Sequence, residues 1–270
     1  MKVSIINNPI AKGQGQSLLY RKRSLSQVIC GVNAVMEILK QHRGVIGLFI
    51  AKGRTSGRIR EILDLAREKE VTIAFKDRIF LDKLSSGTAH QGILAIIGTY
   101  SYCTAEDLVV TALAQKTQAL LLAADHITDP GNLGSLIRTA EFFGVHGLIL
   151  PKDRSASITN TVHKRSAGGT AYLAVARVVN LARTLKQLAD KGIWLVGAEG
   201  KSETSLYNFD WSRNLVLVLG SEERGLSKVV RNLCHHLVSI PRLGHIDSLN
   251  VSVAAGIILS EIVRQRGNYK

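Results

Sequence analysis

Three cysteines, Cys30, Cys103 and Cys234, are all that the 270 residues contain. They are widely separated and odd in number, which argues against a disulfide framework or a zinc site and suits a reducing cytoplasm. Long apolar runs are missing too. Stretches such as "VAAGIIL" (Val253–Leu259) fall far short of the roughly 18 residues that a membrane span needs. The opening "MKVSIINNPIAKGQGQ" has neither the apolar core nor the cleavage motif of a secretory signal, so a cytoplasmic location is expected. Neither G-x-G-x-x-G nor G-x-x-x-x-G-K-[ST] occurs, which leaves the two common nucleotide-binding loops unsupported. Acidic residues are scarce: 21 Asp+Glu stand against 35 Lys+Arg, a formal charge of +14. Such an excess implies a polyanionic partner, with nucleic acid the leading candidate.

What is present can build a core. Hydrophobic residues make up 46% of the chain, and the length suits two domains. Charge is uneven: residues 1–104 hold 16 Lys+Arg against 7 Asp+Glu, while residues 105–270 hold 19 against 14. The first part is therefore the stronger polyanion grip. Residues 1–27, with "YRKRS", have no sustained period and read as a basic flexible arm. Residues 28–100 read as a small α/β unit. "NAVMEILKQH" and "SGRIREILDLAREKE" carry apolar residues at helical spacing, and "GVIGLFIA", "VTIAF" and "GILAIIG" are short strands. Residues 101–118 read as a linker. From residue 119 onward, "ALLLAAD", "GLIL", "IWLVGAE", "NLVLVLG" and "HLVSI" alternate with helical segments, the pattern of a mostly parallel sheet covered on both faces.

Three clusters in this second part can carry chemistry. In "DHITDPGNLGSLIRTAEFFG", Asn132 can cap a helix whose buried stripe is Leu133, Leu136, Ile137 and Ala140, and Arg138 lies off that stripe. Arg138 can be a solvated side chain or a bidentate phosphate ligand. In "LVLVLGSEERGLS", a buried strand ends at Gly220, where a ligand's close approach or an ordinary strand–turn–helix junction are both open. In "IPRLGHIDSLNVSVAAGIILSE", a helix is entered through Pro241, Gly244, Ser248 and Asn250; Ser248 can cap it with Asn250 facing solvent, or the turn can face a ligand. His126 and His163 read as ordinary polar residues.

Taken together and in this order, the clusters resemble the three signature motifs of SPOUT-class methyltransferases, in the TrmH-type branch that methylates ribose 2′-hydroxyls. The likeness spans about residues 119–266. "GVNAVMEIL" and "LDKLSSGTAHQGILA" in residues 28–100 resemble, less specifically, the ribosomal-protein-like RNA-binding domain of RlmB-type rRNA enzymes. The resemblance implies an α/β fold: a C-terminal SPOUT domain (119–270) with a parallel sheet and a deep trefoil knot, preceded by a small α/β RNA-binding domain. It implies S-adenosylmethionine as cofactor, lined by Gly197, Ala198, Leu219, Gly220, Ile240 and Leu249. It implies Asn132, Arg138, Glu222, Ser248 and Asn250 as the polar catalytic set, no metal, a homodimer and RNA as partner.

The implied reaction moves the sulfonium methyl to a ribose 2′-oxygen, on a guanosine of large-subunit (23S) rRNA in the nearest relatives. A guanidinium is not readily deprotonated, so Arg138 is expected to clamp a phosphate rather than act as base, with Asn132 and Ser248 orienting it. "RLGHID" departs from the pattern, placing Arg242, His245 and Asp247 where relatives commonly have apolar or small residues. The alternatives are a tRNA or antibiotic-resistance-type rRNA 2′-O-methyltransferase, and a non-catalytic RNA-binding assembly factor that retains the knot.

Overall fold

The computed structural model describes residues 26–41, 44–54, 56–98 and 100–267. The expected basic arm lies outside these residues, except for Ser26 and Gln27, which open the first strand. Among the described residues the chain divides into two compact units. One runs to Val32 and resumes after the following helix, ending at Tyr100; the other takes Asn33–Gln41 and everything from Ser101.

The N-terminal part runs β1 (Ser26–Cys30), α1 (Val32–Lys40), β2 (Val45–Ala51), α2 (Gly57–Glu68), β3 (Thr72–Lys76), α3 (Arg78–Ser85) and β4 (Ile93–Gly98). Its sheet has the order β1-β4-β2-β3, with β4 antiparallel to both its neighbours and β2 parallel to β3. The short polar-flanked β1 was not legible as a strand. Helix α2 starts at Ser56, whose Oγ accepts the Ile59 N–H, and buries Ile59, Ile62 and Ala66. Phe49, Leu81, Leu94 and Ile96 form a core on the sheet.

The second unit opens with α4 (Ala105–Leu113), inside the stretch read as a linker. Ala105, Leu108, Val109 and Ala112 pack into the core beneath the main sheet, so this segment is a structural layer of the unit. There follow β5 (Leu120–Asp125), α5 (Pro130–Phe142), β6 (Gly147–Pro151), α6 (Asn160–Arg165), β7 (Ala174–Val178), α7 (Leu181–Asp190), β8 (Trp194–Ala198), β9 (Leu215–Gly220), α8 (Lys228–Leu233), β10 (His236–Val238) and α9 (Val251–Arg266). The six strands have the order β10-β8-β9-β5-β6-β7 and every pairing is parallel. Leu121, Ala123, Val216 and Val218 face one core with α4, α7 and α8. Their neighbours Leu120, Leu122, Leu217 and Leu219 are buried as well, so both faces are covered, as the unbroken apolar runs require.

Two close approaches fix the layer that carries the site. Helix α6 touches α5 at Gly134, where an added Cβ would stand 2.5 Å from Arg165 Cβ and 2.9 Å from the Val162 carbonyl oxygen. The C-terminal end of α9 is fastened by Arg266. Its guanidinium donates to the carbonyls of Trp211 (3.0 Å), Gln118 (2.9 Å) and Arg213 (2.6 Å), while burial lowers its pKa to about 10. His163 has an ordinary structural role: it is buried, and its Nδ1 lies 2.8 Å from Thr170 Oγ1.

Replacing Arg266 with leucine removes three hydrogen bonds to backbone carbonyls, of which Trp211 keeps the Arg213 N–H, and should cost about 2–4 kcal/mol in urea denaturation; an unchanged midpoint would contradict the anchor. Burial also lowers His163 from 6.5 to about 4. Below about pH 6.5 the unfolded chain takes up this proton and the folded chain does not, so the His163 contribution to stability falls as pH drops towards about 4. Urea midpoints measured across that window should show a smaller fall in His163→Gln than in the wild type.

Candidate active site

The C-terminal ends of β8, β9 and β10 lie side by side, which is where open parallel sheets place ligands. A cavity of about 690 Å³ opens there. Ala198, Leu219, Gly220, Ile240 and Leu249, all expected at the pocket, line it. Gly197 does not. It precedes Ala198 in β8, so strand alternation turns it to the other face, where an added Cβ would meet Leu226, Leu237 and Cys234. Gly220 is needed for close packing: a Cβ there would fall 2.1 Å from the backbone carbon of Gly225. The Ser221–Gly225 turn is thus folded directly over the end of β9, and Ser221 and Gly225 exchange backbone hydrogen bonds.

Three of the five expected polar residues meet. Glu222 Oε2 accepts from Asn132 Nδ2 at 2.9 Å, and Oε1 accepts from Asn250 Nδ2 at 2.6 Å and from the Val251 N–H at 3.1 Å. Asn250 Nδ2 also donates to Asn132 Oδ1 at 2.9 Å. The start of α5, the turn after β9 and the start of α9 are therefore tied into a closed triangle of side chains.

Two capping assignments differ from expectation. Asp129, not Asn132, caps α5: its Oδ1 accepts the Asn132 N–H at 2.7 Å, with Pro130 in the first turn. Asn250, not Ser248, caps α9: its Oδ1 accepts the Ser252 N–H at 3.0 Å. Each shift has a physical consequence. A carboxylate at position 129 takes over the cap and frees the Asn132 amide for Glu222. An asparagine cap uses its oxygen for the helix and keeps its NH2 for the triangle.

Ser248 lines the cavity but joins no hydrogen bond of the triangle. Arg138 is exposed, lines neither this cavity nor the one beside it, and its side chain bonds to no other described residue. The expected orientation of Arg138 by Asn132 and Ser248 is absent within one chain. The cause is helical geometry: six residues turn about 240° around an α-helix, so Asn132 and Arg138 leave on different faces. In the departing "RLGHID", Arg242 and Asp247 form an ion pair and both line the cavity.

Sequence reasoning missed Asp125. It is 1% exposed at the end of β5, and its Oδ2 accepts the Ser227 N–H at 2.7 Å, binding β5 to the entry of α8. An acid closing the apolar run "LLLAAD" was the available signal. Burial pushes the Cys234 thiol up to about 12, so it is not a thiolate near neutrality. Among the described residues no group of three or more His, Cys, Asp or Glu is placed to hold a metal ion, and no helix is long and apolar enough to cross a membrane.

Residues 119–260 match the model of the SpoU rRNA Methylase family, and residues 28–103 match the model described as RNA 2'-O ribose methyltransferase substrate binding. The chain belongs to the SpoU methylase family. Among its relatives, the Bacillus subtilis (strain 168) protein YacO, named as a TrmH family tRNA/rRNA methyltransferase, is 39% identical over 238 residues, covering 88% of this chain and 95% of YacO. A protein of Mycobacterium sp. (strain KMS), named as a tRNA/rRNA methyltransferase, is 40% identical over 267 residues, covering 96% of this chain and 85% of that protein. Among solved structures, the SpoU methyltransferase AviRb from Streptomyces viridochromogenes, in complex with the cofactor AdoMet, superimposes with a TM-score of 0.76 at 26% identity, covering 95% of this chain and 98% of AviRb.

Asn250→Ala removes the α9 cap and three side-chain hydrogen bonds, to Asn132, Glu222 and Ser252, and should lower stability by about 1–3 kcal/mol. Thermal or urea unfolding checks it; a wild-type midpoint would show that the triangle holds nothing together.

Proposed function

We propose that this SpoU-family protein uses S-adenosylmethionine to methylate a ribose 2′-hydroxyl in RNA, on a guanosine of the large-subunit (23S) rRNA. The observation that carries the reading is a cavity at the ends of three parallel strands whose wall includes Glu222 of the Asn132–Glu222–Asn250 triangle. The N-terminal match to a 2′-O-ribose methyltransferase substrate-binding family and the surplus of basic residues support RNA as the acceptor. The deep trefoil knot belongs to the same proposal.

The cavity suits the cofactor. Its volume is in the range of small-molecule sites, and its walls combine apolar side chains with exposed backbone at Gly220 and Gly225. Ala198, Leu219, Gly220, Ile240 and Leu249 would hold it, and Asn132, Glu222 and Asn250 would fix the turns around it. When bound, S-adenosylmethionine supplies a methyl group already activated by the sulfonium. The protein's tasks are then alignment and removal of the hydroxyl proton.

Arg138 presents a guanidinium that is unpaired among the described residues and can clamp an RNA phosphate. It stands outside the cavity of its own chain, so a homodimer is part of this reading: a second copy would complete the site. Apolar side chains suited to a covering partner lie exposed on α5 (Phe142), on the turn before α9 (Leu243, Ile246) and on α9 (Val253).

Arg138→Ala should cut transfer of labelled methyl to rRNA by about 100-fold or more, a typical loss for a group that stabilises the transition state. Cofactor binding measured by calorimetry should stay within about twofold, because Arg138 does not line the cavity. Wild-type turnover in the variant would remove Arg138 from the mechanism.

A further inference from the structure

A second cavity, of about 550 Å³, lies against the same Ser221–Gly225 turn and shares that turn and Val251 with the first. Asn132 and Glu222 line it, so it meets the Asn132–Glu222–Asn250 triangle. His126 stands in its wall, immediately after β5. The backbone of His126 is left-handed, with φ +62°, a conformation that costs a non-glycine residue about 1 kcal/mol or more. The side chain is held as firmly as the backbone: His126 Nδ1 lies 2.6 Å from Asp125 Oδ1. Asp125 is buried, and its other oxygen is occupied by the Ser227 N–H. A carboxylate only accepts, so Nδ1 carries the hydrogen, which makes Nε2 the nitrogen that holds the lone pair whenever the ring is neutral. Among the described residues nothing hydrogen-bonds Nε2.

The methyl transfer argued above still lacks a proton acceptor. A guanidinium is a poor base. Glu222 is committed to holding three N–H donors, two of them on Oε1. We propose that the second cavity receives the acceptor ribose of the RNA, and that His126 Nε2, oriented by Asp125, takes the proton of its 2′-hydroxyl. The proposal rests on the methyltransferase reading and adds a residue to it. As the 2′-oxygen forms its bond to the methyl carbon, the carbon–sulfur bond breaks with its electron pair left on sulfur, and the hydroxyl proton passes to Nε2. The Arg154 and Arg224 guanidiniums on the same cavity suit the phosphates flanking that ribose. The other charged groups facing His126 are Asp125 on β5, Asp129 at the start of α5, and Glu222 and Glu223 on the turn.

The test compares wild type with His126→Asn, which tolerates a left-handed backbone, and His126→Gly, which relieves it. Single-turnover methyl transfer to rRNA and tRNA is followed from about pH 5.5 to about 9, with cofactor affinity by calorimetry and RNA affinity by filter binding. Both variants should lose about 100-fold or more in rate, the scale of general-base catalysis. Their affinities should stay within about twofold, the rise of rate with pH seen in wild type should disappear, and added imidazole should restore part of the rate to His126→Gly. Long-range ¹H–¹⁵N NMR of the wild type should show the Nδ1–H tautomer at His126. Wild-type rates in both variants, a retained pH inflection or an Nε2–H tautomer would overturn the role of His126 while leaving the methyltransferase intact. Wild-type protein that methylates neither RNA would overturn both readings together.

Discussion

Glu222 is exposed at the surface of one chain, yet its two oxygens receive three N–H groups from segments that are far apart in sequence. One donor is Asn132, at the start of α5, and two come from the entry to α9. The carboxylate converts two helix beginnings and a strand–turn junction into one object. Hydrogen bonds to a charged acceptor are stronger than neutral ones, and removing the shared acceptor would take away three of them at once. The cavity walls on either side of the Ser221–Gly225 turn both depend on where that carboxylate sits.

The rest of the second unit supplies what the carboxylate needs. The parallel sheet brings the ends of β8, β9 and β10 into line, and Gly220 lets the turn fold directly onto β9. Gly134 lets α6 pack against α5, and Arg266 fixes the far end of α9 so that its N-terminus can be placed by Asn250. Asp125 does for the opposite edge of the turn what Glu222 does at its centre, tying β5 to the residue before α8. Asp125 at the end of β5 and Glu222 within the turn thus fix the turn and its exit into α8.

The sequence was most readable where a single physical rule decided the outcome. The unbroken apolar runs gave the parallel sheet, because a strand buried on both faces cannot alternate. The resemblance to the SPOUT motifs, rather than any spacing rule, named Asn132, Glu222 and Asn250, which the fold brings together, and five of the six positions it named for the pocket line the cavity. What stayed illegible depended on competition or on facing. Asp129 and Asn132 could each cap α5, and only the fold shows the carboxylate winning. Ser248 and Asn250 competed in the same way before α9. Gly197 and Ala198 are neighbours, and a one-residue difference in strand facing separates core from cavity. Arg138 lies on the right helix, but its angular position carries it away from Asn132. Helix α4 was hidden because a polar stretch after its apolar face made the whole segment look like a connector. His126 could not be weighed without knowing that Asp125 is buried and aimed at it.

The most direct test of the account is a map of 2′-O-methyl nucleotides in the rRNA and tRNA of cells with and without this protein. Loss of one 2′-O-methylguanosine from large-subunit rRNA, with the other positions unchanged, is the predicted result. An identical 2′-O-methyl map in every RNA of the two strains would contradict it.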